Sequence, residues 1–193
     1  DSSLEKESLI PFVEVTKKLL DAKVDAPNIY LKSLDQGFLV LEDFGSADLL
    51  STLDDHNFKE FYKLAIDEII KMQKASVESL PLYDKEFLLK EMSLMQEWFL
   101  DGHIKDTSYD HSMIKESLET IADEVLKQPQ GYFVHRDFHS RNIMVKADGT
   151  LGVIDYQDAM NGSLTYDLVS LLRDLYIKFD KQEIENLALY FRD

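Results

Sequence analysis

Residues 133–155 read FVHRDFHSRNIMVKADGTLGVID, and the way this stretch folds decides what the rest of the chain must hold. Two short apolar runs, Ile143 to Val145 and Leu151 to Ile154, flank Asp148-Gly149. Asp-Gly between two such runs is a strong signal for a two-strand hairpin. Tyr132 to Val134 supplies a short strand ahead of His135-Arg136-Asp137, Asn142 opens the hairpin, and Asp155 closes it. Folding the hairpin brings Asp155 back beside Asn142.

The spacing of His135-Arg136-Asp137, four residues and then Asn142 matches the catalytic-loop pattern H-R-D-x-x-x-x-N of phosphoryl transfer. A carboxylate at a strand end, Asp137, can accept the proton of an attacking hydroxyl. An amide five positions on, Asn142, can turn its oxygen to a Mg²⁺ bound to ATP, and Asp155 supplies the second oxygen ligand for the metal bridging the phosphates. A single Asp or Asn at a strand end is usually a turn former or a cap; three of them with this spacing and strand context point to a site. His135 reads as structural, its ring bonded to backbone. His139 is open between structure and substrate contact. A metallohydrolase built on His135, Asp137, His139 and Asp155 is a weaker reading, since known His-rich metal motifs do not show this spacing.

Working outward, Leu9-Ile10-Pro11 after Ser8 starts an amphipathic helix with Pro in its first turn, expected to run to about Lys23, where Pro27 then forces an extended path. Residues 28–32 and 37–42 around Asp35-Gln36-Gly37 read as a β-hairpin. Ser46 is placed to cap a short helix over Ala47 to Leu53, Asn57 a helix bearing Phe61, Ala65, Ile69 and Met72, and Asp84 one bearing Leu88, Met92, Met95 and Phe99. A further helix carries Ile114, Leu118, Ile121 and Val125, with Asp101 to Tyr109 as a polar connection. These apolar stripes, and Trp98 with them, are expected to be core. A loop containing Asn161-Gly162 precedes a helix over Thr165 to Phe179, and Lys181 starts another.

The 193 residues suffice for one domain or two small lobes. No apolar run approaches the roughly 20 residues that cross a bilayer, and the expectation is a cytoplasmic protein. There are no cysteines, so disulfides and thiolate metal sites are excluded. A net charge of -16 disfavours nucleic acid and anionic membranes as partners and leaves two readings, a solubilising surface or an acidic cleft for a cationic or polyhydroxyl substrate.

VHRDFHSRNIMV followed by GVIDYQDAMNGSLTYDLVSLLRD resembles the phosphotransferase enzyme family that includes aminoglycoside phosphotransferases, choline kinases and bacterial kinases of N-acetylmuramate and N-acetylglucosamine. Asp137, His139 and Asn142 form the D-x-H-x-x-N of its small-molecule members, and the segment from Ile154 to Ala159 with Thr165 to Leu168 is most similar to the anomeric amino-sugar kinases. The resemblance implies an α+β, protein-kinase-like fold with a mainly helical C-lobe, a small β-hairpin insertion and a truncated N-lobe. The remnant N-lobe would span 1–45 and the C-lobe with the catalytic loop 46–193. It also implies an ATP- and Mg²⁺-dependent phosphotransferase acting on a small-molecule hydroxyl, preferably of an amino sugar, with an aminoglycoside as second choice and a catalytically inactive binding module as third.

By the same resemblance Glu42, Asp43 and Phe44 form the hinge that meets adenine, and Glu14 pairs with a nucleotide-positioning lysine. Asp137 is the catalytic carboxylate, Asn142 and Asp155 hold the metal, and His139, Gln157, Asp158 and Arg173 are candidate sugar contacts. Asp167 is expected to brace the catalytic loop. The family's first strands and that lysine belong before Glu14, where only a short stretch stands, so this chain alone is expected to be a poor catalyst.

Overall fold

The computed structural model describes residues 9–105 and 108–193. Helix α1 (Leu9–Asp21) has Pro11 in its first turn and buries Val15, Thr16 and Leu19; the proposed Ser8 start lies outside the described residues. Strands β1 (Ile29–Ser33) and β2 (Phe38–Leu41) pair antiparallel across the expected turn, with Gly37 at φ 76. The hairpin thus forms where branched residues and a turn glycine coincide.

Helix α2 is shorter than expected, Leu49–Thr52, and its cap is Asp48, whose carboxylate accepts the Ser51 N–H at 2.7 Å. Ser46 does not cap it. Helix α3 (Phe58–Met72) buries Tyr62, Ala65, Ile66, Ile69 and Met72. Asn57 precedes it without a capping bond, because its amide is engaged in the 54–57 turn, accepting from Asp54 N and donating to Thr52 O.

Asp84 caps helix α4 (Lys85–Leu94) as expected, accepting from Phe87 N. The first part of the expected polar connection, Asp101 to Ile104, is instead more helix: residues Met95–Ile104 continue α4 as a π-helix, ending at Lys105 in the left-handed region. Helix α5 (His111–Val125) follows, capped by Asp110. The expectation that the stripes of these helices are core fails over much of their length. Leu94, Met95, Trp98, Phe99, Ile104, Met113 and Ile121 are exposed, because α4 and α5 pack on each other around Leu88 and Ala122 and leave their outer faces uncovered.

Three two-stranded antiparallel sheets occur among the described residues. Besides β1–β2, strands β4 (Ile143–Val145) and β5 (Leu151–Val153) form the Asp-Gly hairpin, with Ile143 opposite Val153. Strand β3 (Gln130–Val134) pairs with β6 (Met160–Ser163), placing Phe133 opposite Asn161. Asn161-Gly162, read as loop, is therefore strand. Helix α6 (Tyr166–Leu172) stops well short of Phe179, and α7 (Lys181–Arg192) begins after the Asp180 cap.

The main core joins α1, α3, α6 and α7 to the β4–β5 hairpin through Leu19, Ile66, Ile69, Phe138, Ile143, Val153, Tyr156 and Leu171. Burying a large apolar side chain stabilises by about 2 to 3 kcal/mol each, so the strands carrying the polar cluster are anchored in the larger of the two core clusters.

Candidate active site

Two backbone features hold the loop between β3 and β4. His135 N–H and Arg136 N–H both donate to Asp167, at 2.8 and 3.1 Å, so the first residue pair of the loop hangs from the start of α6. This is the bracing expected of Asp167. Burial pushes its carboxyl up to about 7, against the lowering effect of those two N–H donors. The second feature is Asp174, which sequence reading missed: its carboxylate is buried and accepts the Ser140 N–H at 2.8 Å. Nothing in an Asp after a helical run distinguishes it from a surface residue before the tertiary contact is seen.

His135 is fully buried, and its Nε2 donates to the Ile154 carbonyl at 2.9 Å. Burial pushes its pKa down to about 4, so the ring is neutral. This is the structural role expected for it, and it removes His135 from any metal set. No grouping of three or more His, Asp or Glu able to hold a metal exists among the described residues. Arg136 points away from the cluster, ion-paired with Glu91 and 5.2 Å above the Phe87 ring, so it ties the loop to α4. Glu91 in turn accepts from Tyr83, a network absent from the sequence reading.

The structure brings Asp137, Asn142 and Asp155 together. The Asn142 amide donates to the Asp137 carbonyl at 3.0 Å and to Asp155 Oδ2 at 3.3 Å, and the Ile154 N–H donates to the Asn142 carbonyl at 3.1 Å. Gln157 donates to Asp155 Oδ1 at 2.9 Å, so both carboxylate oxygens are held by amides. Asp137 and Asp155 are exposed, and Arg136 and Asp155 stand at φ 82 and 65. Non-glycine residues in that region cost of order 1 to 3 kcal/mol and cluster at functional sites. The oxygen donors fit a hard divalent cation. Mg²⁺ takes one or two protein oxygens and completes its shell with phosphate and water, and Asn142 Oδ1 and Asp155 supply that number.

The remaining candidates are distributed around this cluster. His139 N–H donates to the Asp137 carbonyl at 3.0 Å, and its ring meets Tyr176 edge-on. Asp158 is exposed beyond Gln157, and Arg173 is exposed at the end of α6 with no ion pair among the described residues. Glu42 is engaged by Asn28, whose amide and backbone N–H hold its carboxyl below the ordinary range, and its own N–H donates to Asn28 O. Asp43 accepts from Gly45 N at 2.8 Å. The Phe44 ring lies on Gly152 with the Lys146 ammonium 5.1 Å from its centroid, while Lys146 is ion-paired with Asp25. The N–H groups of Asp43 and Phe44 meet no acceptor among the described residues.

Glu14 is not brought to the cluster. It lines a surface depression with Lys17, Lys18, Asp21, Lys74 and Glu78. The part of α1 that meets the catalytic segment is Phe12, stacked on Tyr156 at 5.1 Å, and Thr16, hydrogen-bonded to the Tyr156 hydroxyl at 2.9 Å. A helix presents residues two apart on different sides, which is why Glu14 falls away from the face that Phe12 and Thr16 share.

Among solved structures, the aminoglycoside phosphotransferase APH(2'')-Ib in its ADP-bound form matches all of this chain and 69% of its own at 18% identity, with a TM-score of 0.68. The choline kinase LicA of Streptococcus pneumoniae matches all of this chain and 65% of its own at 19% identity, also with a TM-score of 0.68. These likenesses establish the protein-kinase-like α+β fold. Among sequences, the N-acetylmuramate/N-acetylglucosamine kinase of Neisseria meningitidis serogroup B is 36% identical over 99% of this chain. The kinase of the same name from Pseudomonas aeruginosa is 33% identical over 95% of it. The chain spans 58% and 55% of the length of those two relatives. Residues 1–192 match the model of the phosphotransferase enzyme family, and the chain belongs to that family.

Proposed function

We propose that this chain is part of an ATP-dependent kinase that phosphorylates a hydroxyl of an amino sugar, N-acetylmuramate or N-acetylglucosamine, at the anomeric position. The observation that carries this reading is the convergence of Asp137, Asn142 and Asp155 on one exposed edge, in a chain that resembles kinases of those sugars over nearly its whole length.

In this reading the Asp137 carboxylate receives the proton of the acceptor hydroxyl and orients its oxygen. Asn142 and Asp155 would hold Mg²⁺, which when bound neutralises charge on the phosphates. Gln157 keeps the Asp155 carboxylate oriented. The N–H groups of Asp43 and Phe44, which meet no acceptor among the described residues, receive the adenine edge, and Phe44 fixes that segment by its seat on Gly152. The neutral, buried His135 contributes geometry rather than proton transfer.

Asp155→Asn is the direct test, because Asn keeps the shape and tolerates positive φ. In the full-length protein, ADP release with amino sugars is expected to fall at least roughly a hundredfold, while the thermal midpoint stays within a degree or two of the wild type, since Asp155 is exposed. Undiminished turnover would overturn the assignment, and ADP release only with aminoglycosides would overturn the choice of acceptor.

A further inference from the structure

The turn after α6 carries a side chain that the proposed mechanism does not use. Asp174 accepts the Ser140 N–H at 2.8 Å through one carboxylate oxygen and the Tyr176 N–H at 2.9 Å through the other. One buried carboxylate therefore fixes the middle of the catalytic loop and this turn against each other. The result is a three-residue group. The Tyr176 ring, 50% exposed, meets His139 edge-on with centroids 5.7 Å apart, and the Arg141 guanidinium carbon lies 5.2 Å from the same ring centroid.

Each member keeps an unused capability. Arg141 is exposed and forms no ion pair among the described residues; Asp48, the acid whose field it shares, is already engaged as the cap of α2. His139 Nδ1 accepts the Arg141 backbone N–H at 3.3 Å, which leaves Nε2 as the nitrogen that can donate. One face of an aromatic ring with an arginine stacked on it is a common platform for planar or ring-shaped ligands. In a chain of net charge -16, an exposed arginine without an ion pair among the described residues, on the loop that carries Asp137, suits an anion, since guanidinium matches carboxylate in two parallel hydrogen bonds.

The two sugars in the relatives' names differ in one chemical respect: N-acetylmuramate carries a lactyl ether carboxylate that N-acetylglucosamine lacks. We propose that Tyr176, Arg141 and His139 form an acceptor subsite for a carboxylate-bearing amino sugar, with Arg141 binding the carboxylate, Tyr176 supporting the ring and His139 donating to a sugar oxygen. This rests on the kinase reading above. Asp174 is the positioning residue of the subsite.

The test uses the full-length protein, with kcat/KM measured for N-acetylmuramate and N-acetylglucosamine at saturating ATP, and binding of N-acetylmuramate alone followed by calorimetry. Arg141→Gln is expected to lower both kcat/KM and affinity for N-acetylmuramate by roughly 10- to 100-fold, the worth of a charged hydrogen bond, and to change N-acetylglucosamine by less than about threefold. Tyr176→Ala is expected to weaken both sugars alike, whereas Tyr176→Phe retains both. Equal losses for the two sugars in Arg141→Gln, or a raised KM for ATP with sugar selectivity unchanged, overturn the subsite while leaving the kinase reading intact. Failure of the wild type to release ADP with either sugar overturns the kinase reading and the subsite together.

Discussion

His135 and Asp167 sit next to each other in the fold and respond to pH in opposite directions. Burial holds His135 near 4, below its ordinary 6.5, so between those values the unfolded chain binds more protons than the native one. Its contribution to stability is present above pH 6.5 and is lost as pH falls toward 4. Asp167 is raised from 3.8 to about 7, so the native state binds the extra proton there, and its contribution is full below pH 3.8 and declines as pH rises through 7. Denaturant midpoints measured from pH 4 to 7.5 are expected to show the gap between wild type and His135→Gln closing on acidification. The gap between wild type and Asp167→Asn is expected to close as pH rises instead. A parallel pH dependence for both variants would contradict the burial of the pair.

At the scale of elements, the segment after β2 is seated on the β4–β5 hairpin by one ring. A Cβ built on Gly152 would stand 2.4 Å from two carbons of Phe44, so the slot exists only because residue 152 has no side chain. Val145 N–H donates to Ala47 O at 2.9 Å, which ties the same segment to β4 and prevents it from simply lifting away. Gly152→Ala is expected to destabilise the protein by about 1 to 3 kcal/mol through overpacking, measured by urea unfolding. Adding Phe44→Leu is expected to recover part of that loss, and strict additivity of the two substitutions would show that the contact is not the cause. The sequence marked residues 42–45 as a hinge by resemblance, yet the partner of Phe44 was invisible in it. Two residues so far apart in the chain meet only because the segment at Ala47 is hydrogen-bonded to β4, the partner strand of β5.

The whole molecule is unevenly packed. The main core carries β4, β5 and the catalytic loop, whereas the α4–α5 pair rests on a small second cluster of Tyr83, Leu88, Ala122 and Met160. Trp98, the sole tryptophan, lies on the outer face and is 69% exposed. Its native-state emission is expected near that of the unfolded chain and open to acrylamide, and Trp98→Ser is expected to change stability by no more than about 0.5 kcal/mol. A blue-shifted, protected Trp98 would show that this face is covered in solution.

The hairpin at Asp148-Gly149 and the meeting of Asn142 with Asp155 were legible in the order of residues, because turn chemistry and a period of two act over neighbouring residues. So were α1, the β1–β2 hairpin and the Asp84 cap, for the same reason. The pairing of β3 with β6, the early end of α6, the exposure of the Trp98 stripe and the stapling of Ser140 to Asp174 emerged only once distant segments packed together. Helical periodicity states that a face is apolar; whether another element covers it depends on packing between distant segments. Likewise a carboxylate such as Asp174 acquires its role only from the backbone N–H groups that folding brings to it.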